Sequence, residues 1–256
     1  MSVKAVTFDL WNTLLCAKNY EEPRVSVLST ILEEDGFSMD KDKIRSAYES
    51  AIIHFDNLWK KDTKYHVISA AKSTAFILRE LNTRLPRSSV KRIINEFEEV
   101  ILHDPPLLVE DVKMVLKKLD KQYRIGLISN SGITPGRILR KVLDKLEVLR
   151  YLDCTVFSDE IGYTKPHQLI FREAVKILQS NPHETAHIGD LLHTDVAGAK
   201  SFGMKTLWLN KAGDVNKSDI KPDYEVRRLS QIIEILSITK NQHLHLSQLP
   251  KLTSSA

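Results

Sequence analysis

The sequence predicts an α/β protein: a parallel sheet covered by helices on both faces, with an all-helical segment set in after the first strand. Three observations carry this reading. A β-branched and aromatic run at residues 3–8, VKAVTF, ends on a polar cluster from Asp9 to Thr13. Residues 20–103 then show apolar side chains at helical spacing and no clear strand. Beyond Asp104-Pro105-Pro106, short apolar runs alternate with amphipathic stretches, the pattern of strand–helix–strand units.

The elements follow in order. VKAVTF reads as a buried strand leading into a loop. Within 20–103, Val25, Leu28, Ile31 and Leu32 share one helical face, as do Ile44, Ala47, Tyr48 and Ala51, and later Ile93, Ile94, Phe97 and Ile101. Gly36 and Pro86 punctuate the stretch, which suggests about four helices. A helix is expected over roughly 109–121, then the strand YRIGLIS at 123–129. A helix from Thr134 to about 147 and a short strand at CTVF, 154–157, come next. The following helix is expected to start at Pro166, because proline suits the first helical position. Strand TAHIG at 185–189, a helix near 195–202, strand KTLWL at 205–209 and a helix near 229–237 complete the series. The tail from about 240 is polar and is expected to be loose. His243 and His245 within it have no neighbouring Cys or acid with which to hold a metal.

Composition sets the class. The 256 residues are 42% hydrophobic and 27% charged, ordinary for a globular protein with a sizeable core. The formal charge of +4 comes from Lys and Arg mixed with acids rather than gathered in a stripe or tail. Nucleic acid is therefore not expected as a partner. No apolar stretch approaches the length needed to cross a membrane. Cys16 and Cys154 are the two cysteines, with no CxxC and no disulfide framework, which fits a reducing cytoplasm. The Asn216-Lys217-Ser218 sequon carries no meaning there.

In an open parallel sheet, ligands bind just beyond the carboxyl ends of the strands. Asp9 follows the first strand, Ser129 and Asn130 the second, and Gly189 and Asp190 a later one; Lys165 lies in a loop before a helix. Singly, each has an ordinary structural reading as a cap, turn or exposed residue. Together they bring two carboxylates, a hydroxyl and an ammonium to one edge. That set suits a magnesium ion and a phosphoryl group.

Their order resembles the haloacid dehalogenase superfamily. FDLWNTLL resembles its first motif, SNSG its second, GYTKPHQLIF its third, and HIGDLLHTDVAGAKSFGMKTLWL its fourth, with a second Asp five residues after the Gly-Asp. KPDYEV in the tail is also similar. The resemblance implies a Rossmann-like, doubly wound core over 1–15 and 104–240, an all-helical cap over 16–103 and a flexible tail over 241–256. It implies that Asp9 is a covalent nucleophile, that Ser129 donates a hydrogen bond to the transferred group, and that Lys165 neutralises that group and restrains Asp9. Asn130 and Thr13 would contact substrate. Mg²⁺ would be held by Asp9, Asp190 and the main-chain carbonyl of Trp11, with Asp195 supporting. A cap excludes water and contributes substrate contacts; the same helices could instead pair two copies. Trp59, Tyr65 and Phe55 are expected to pack inside the cap rather than face the cleft.

One position departs from the family. Its phosphatases carry a second Asp two residues after the nucleophile, which protonates the leaving oxygen. Here that position is Trp11, which cannot transfer a proton, and such catalysis contributes about 10²–10⁴-fold. The leading expectation is a Mg²⁺-dependent phosphatase acting on a small phosphorylated metabolite, with a substitute acid or an undemanding leaving group. Two alternatives stay open: a 2-haloacid dehalogenase, whose halide leaves without a proton, and a non-catalytic binding protein on the same fold. Gly189-Asp190 argues against the former, since those dehalogenases work without metal. The retained Asp9, Lys165, Asp190 and Asp195 argue against the latter.

Overall fold

The computed structural model describes residues 2–61 and 68–238; Tyr65, His243, His245 and the tail lie outside them. Six short strands form one fully parallel sheet: β1 (Ala5–Phe8), β2 (Arg124–Ser129), β3 (Cys154–Phe157), β4 (Thr185–Gly189), β5 (Lys205–Leu209) and β6 (Tyr224–Val226). Their spatial order is β3-β2-β1-β4-β5-β6. The chain thus builds outward on one side of β1, then crosses back to build on the other. That crossing makes the carboxyl ends of β2, β1 and β4 the switch point where a ligand crevice opens.

Alternating side chains feed two cores. Val6, Phe8, Ile125 and Leu127 face helices α5 (Val112–Leu119) and α6 (Gly136–Lys145) and the helical residues 231–238. Ala5 and Ile128 face α8 (Gln168–Ile177) and α9 (Ala197–Ser201) through Ile170, Phe171 and Ala199. All four residues of β1 are buried, as expected of a central parallel strand covered on both faces. A one-turn helix, α7 (Ser158–Ile161), follows β3.

The insert holds four helices: α1 (Glu21–Glu34), α2 (Lys41–Lys61), α3 (Ala70–Glu80) and α4 (Arg87–His103). Leu28, Ile31, Ile44, Ile77, Ile93 and Phe97 give it a core of its own. Glu21 and Glu22 sit in the first turn of α1, where the helix dipole favours acids. Gly36, at φ 85°, ends that helix: its N–H donates to Glu33 O, and the Phe37 N–H donates to Leu32 O, a left-handed cap that glycine adopts without strain.

One expectation is corrected, and one strand was not anticipated. Helix α8 begins at Gln168, not Pro166; the ring of His167 accepts from the Leu169 N–H and caps it. KPDYEV contributes a sixth strand, pairing with β5. The Asp223 carboxylate anchors its start by accepting from the N–H and hydroxyl of Thr206. Three residues are too few to show an alternating pattern in sequence. Cys16 and Cys154 are both free. No helix among the described residues is long and apolar enough to cross a membrane.

Candidate active site

The three central strands deliver the site. The Asp9 N–H donates to Ile188 O at 2.8 Å, extending the β1–β4 ladder and fixing the carboxylate just past β1. The chain then folds back on itself. Asn12 takes a left-handed φ of 54°, tolerable for asparagine, and the N–H groups of Leu14 and Leu15 both donate to Leu10 O.

Lys165 reaches this point from the loop before α8. Asn130 clamps its main chain from both sides: Asn130 Oδ1 accepts from Lys165 N at 2.7 Å, and Asn130 Nδ2 donates to Lys165 O at 3.2 Å. The ammonium then pairs with Asp9 and, at 2.6 Å, with Asp195. Lys165 is 2% exposed, Asp9 6% and Asp195 1%. Asp195 itself is placed by a π-helical turn, Leu192–Val196, and by the Leu191 N–H at 3.1 Å. It rests against the main chain of Gly189, where an added Cβ would meet Asp195 Cγ at 2.3 Å. Glycine is therefore required at that position.

A buried histidine extends the network. His187 Nε2 lies 3.4 Å from Asp195 Oδ1, and its Nδ1 lies 2.9 Å from the Thr7 hydroxyl, so a chain of polar contacts runs Thr7–His187–Asp195–Lys165–Asp9. This role of His187 was not legible in the sequence, because one histidine in an apolar strand reads as a core residue.

The charges divide unequally. Burial pushes the Asp9 carboxyl up to about 7, against the pull of Lys165, and Asp195 adds to the rise. Burial opposes ionisation of Asp195 too, but Lys165 and His187 outweigh it and hold that carboxyl well below the usual range. Burial alone would lower Lys165; the two carboxylates reverse this and raise it. Burial keeps His187 low. Asp190, at the end of β4, is raised to about 6, first by burial and then by Asp195. Lys165 thus balances Asp195 and only part of the charge at Asp9 and Asp190.

Oxygen atoms of Asp9, Asp190 and Asp195 lie within 4.8 Å of one another. Three hard oxygen donors carrying excess negative charge are the chemistry that magnesium requires. The hydroxyls of Ser129 and Thr13 are buried with no hydrogen-bond partner among the described residues. Buried hydroxyls ordinarily have partners; among those residues Ser73 and Thr74 in the insert also lack one, so it is the place of Ser129 at the carboxyl end of β2, next to β1, that suits it to an oxyanion. The residues present therefore fit both the ion and a phosphoryl group.

Above this edge lies a cleft of about 450 Å³ between sheet and insert. Trp11, Asn130, Thr164 and Leu191 line it from one side, and Tyr20, Arg24, Ile52 and Trp59 from the other. Trp59 faces this cleft rather than the interior of the insert, and its indole N–H donates to Thr164 Oγ1 at 3.3 Å. Phe55 does pack within the insert, its ring 6.0 Å from that of Phe76. Trp59 was missed because its helix carries apolar residues on two faces, and spacing alone does not say which one meets the sheet.

Comparison with known proteins agrees with the geometry. Residues 3–203 match the family model for haloacid dehalogenase-like hydrolases. A glyceraldehyde 3-phosphate phosphatase from Pyrococcus furiosus is 34% identical over 133 residues, 50% of this chain and 54% of that protein. The chain therefore matches about half the length of that relative. A solved HAD phosphatase from Thermococcus onnurineus superposes with TM-score 0.63 at 27% identity, covering 91% of this chain and 98% of that one. A 2-haloacid dehalogenase from Pseudomonas syringae superposes with TM-score 0.70 at 24% identity, covering 92% and 99%, which bears on the fold alone. The chain belongs to the haloacid dehalogenase-like hydrolase family.

Proposed function

We propose that this chain is a magnesium-dependent phosphatase of small phosphomonoesters, with Asp9 as its covalent nucleophile. The observation that carries the reading is the cluster of Asp9, Asp190 and Asp195, two of which share Lys165, with the Ser129 hydroxyl unpartnered among the described residues at the end of the neighbouring strand. The similarity to phosphatases supports it.

An oxygen of Asp9 attacks phosphorus and the ester oxygen leaves with the bonding pair, giving an aspartyl phosphate. Water then attacks that phosphorus, freeing Asp9 and inorganic phosphate. Lys165 holds Asp9 in place and neutralises the transferred group, while Ser129 and Thr13 donate to its oxygens. Asn130, which also lines the cleft, sets the main chain that aims Lys165. Asp9, Asp190 and the Trp11 carbonyl, with Asp195 in support, would hold magnesium, which would supply Lewis-acid neutralisation of the phosphoryl oxygens. The insert acts as a cap that shields the acyl phosphate from stray water. The free Cys16 and Cys154 support a cytoplasmic setting.

A second reading has one observation in its favour. Trp11 stands in the cleft, and no Asp or Glu lies among the described residues that line it, so the leaving group receives no evident proton. A 2-haloacid dehalogenase would need none. Turnover of p-nitrophenyl phosphate separates the two, because the aryl leaving group needs little protonation. Hydrolysis that requires Mg²⁺, is lost in EDTA and is lost in Asp9→Asn establishes the phosphatase. Turnover of 2-haloacids in EDTA, with no ester hydrolysis, replaces it with the dehalogenase.

A further inference from the structure

Arg24 sits in the first turns of α1 and faces the cleft. It is 8% exposed. Its Nε donates to Phe97 O at 3.1 Å, Nη1 to the Tyr48 hydroxyl at 3.3 Å, and Nη2 to the Thr134 hydroxyl at 3.1 Å. The Tyr20 ring lies against the guanidinium, its centroid 5.8 Å from Cζ. All four neighbours are neutral. Arg45, Arg92, Arg137 and Arg140 each pair with a glutamate, but no carboxylate among the described residues pairs with Arg24.

Buried charges ordinarily have partners of opposite sign. A guanidinium also offers five N–H donors, one on Nε and two on each terminal nitrogen. Three are used here, so one on Nη1 and one on Nη2 have no acceptor among the described residues. Paired N–H groups on a guanidinium can grip an oxyanion at two points. The other cation lining the cleft, Lys18, already pairs with Asp104 at 2.5 Å. Asn130, which clamps the Lys165 main chain, and Trp11, two residues past Asp9, line the same cleft as Arg24, so the cleft runs from Arg24 to residues that adjoin the phosphoryl site.

We propose that Arg24 forms a second anion subsite, which binds a carboxylate or second phosphate at the far end of the substrate while the transferred phosphoryl group sits at Asp9. The preferred substrate is then a short phosphomonoester bearing another oxyanion, its carbon chain lying against Trp11, Ile52, Trp59 and Ile101. This rests on the phosphatase reading.

The test uses phosphate esters of ω-hydroxy acids two to five carbons long, each against its carboxamide, and α,ω-diol bisphosphates against the matching monophosphates. At one chain length the charged ester is expected to exceed its neutral partner at least tenfold in kcat/KM, mostly through KM. The acid and bisphosphate arms decide which oxyanion is preferred. Arg24→Gln should bring the ratio close to one, and Arg24→Lys should keep part of it. If Arg24 only ties insert to sheet, its loss depresses both partners alike and leaves the ratio intact, which overturns the proposal. So does a wild-type protein with no charged-ester preference at any length. Binding of the same esters to the Asp9→Asn protein, followed by the fluorescence of Trp11 and Trp59, keeps the two readings separate. A charged-over-neutral binding preference with no turnover by the wild type would sink the phosphatase and leave the subsite standing.

Discussion

The two walls of the cleft are built on opposite principles. The sheet edge is a closed charge network: Asp9, Lys165, Asp195 and His187 are all buried and tied to one another. The insert wall is largely apolar, with Tyr20, Ile52 and Trp59, and contributes one buried cation, Arg24, that pairs with no carboxylate among the described residues. A network whose members satisfy one another cannot be altered at one place without disturbing the rest, whereas an apolar wall tolerates exchange of similar volumes. On the proposed reading, the contrast assigns bond breaking to the sheet edge and substrate choice to the insert.

The contrast can be attacked first at the nucleophile. Asp9→Asn should lower kcat for p-nitrophenyl phosphate more than about 10⁴-fold, as the amide is a poor nucleophile and a weaker metal ligand. Activity near wild type would remove the covalent mechanism.

Lys165→Met comes next. It leaves the carboxylates of Asp9 and Asp195 buried together without a cation, and breaking a buried pair costs about 3–5 kcal/mol. Urea unfolding in EDTA should show the loss; a midpoint equal to wild type would mean that the pairs at Lys165 contribute nothing to the fold. By the same contrast, Ile52→Val on the insert wall should cost less than about 1.5 kcal/mol.

Trp11→Asp addresses the boundary between the walls. It supplies the missing acid, so alkyl phosphates should gain about tenfold or more relative to aryl phosphates. The large-to-small change also opens space, which affects both ester classes. An equal response of the two would show that proton supply is not limiting.

The smallest effect is the pH dependence of metal stabilisation. Without a cation, Asp9 titrates near 7 and Asp190 near 6, both above their value in the unfolded chain. Ionising them therefore removes stability as pH rises through that window. Asp195 is already ionised there. Neutral His187 adds stability as pH rises past its unfolded value, with or without metal, so it cancels in the comparison. The rise in Tm on adding Mg²⁺ should thus be larger at pH 8 than at pH 5, by about 2–4 °C for a chain of this size. An equal or reversed difference would place the ion away from Asp9 and Asp190.

Most of the sheet was legible in sequence. TAHIG and KTLWL match β4 and β5 residue for residue, because central parallel strands are continuous apolar runs bounded by polar turns. The helical insert was legible from its 3.6-residue spacing. The candidate residues Asp9, Ser129, Lys165, Asp190 and Asp195 could be named because they stand at strand ends or in family motifs. The structure gathers Asp9, Lys165, Asp190 and Asp195 at one edge and leaves the Ser129 hydroxyl without a partner.

What the sequence by itself determined, then, is the chemistry on offer: which strands exist, which charged side chains end them, and that position 11 lacks an acid. The periodicities behind this are local and survive without any tertiary contact. Only the tertiary structure decided which lysine balances which carboxylate, that His187 stands behind Asp195, that Trp59 turns to the cleft, and that Arg24 is buried without a counter-ion among the described residues. Most of these depend on groups far apart in the chain, such as Arg24 and Thr134, 110 positions apart. Charge balance is a property of the packed neighbourhood, where low dielectric makes an unpaired group costly, and no local pattern along the chain records it.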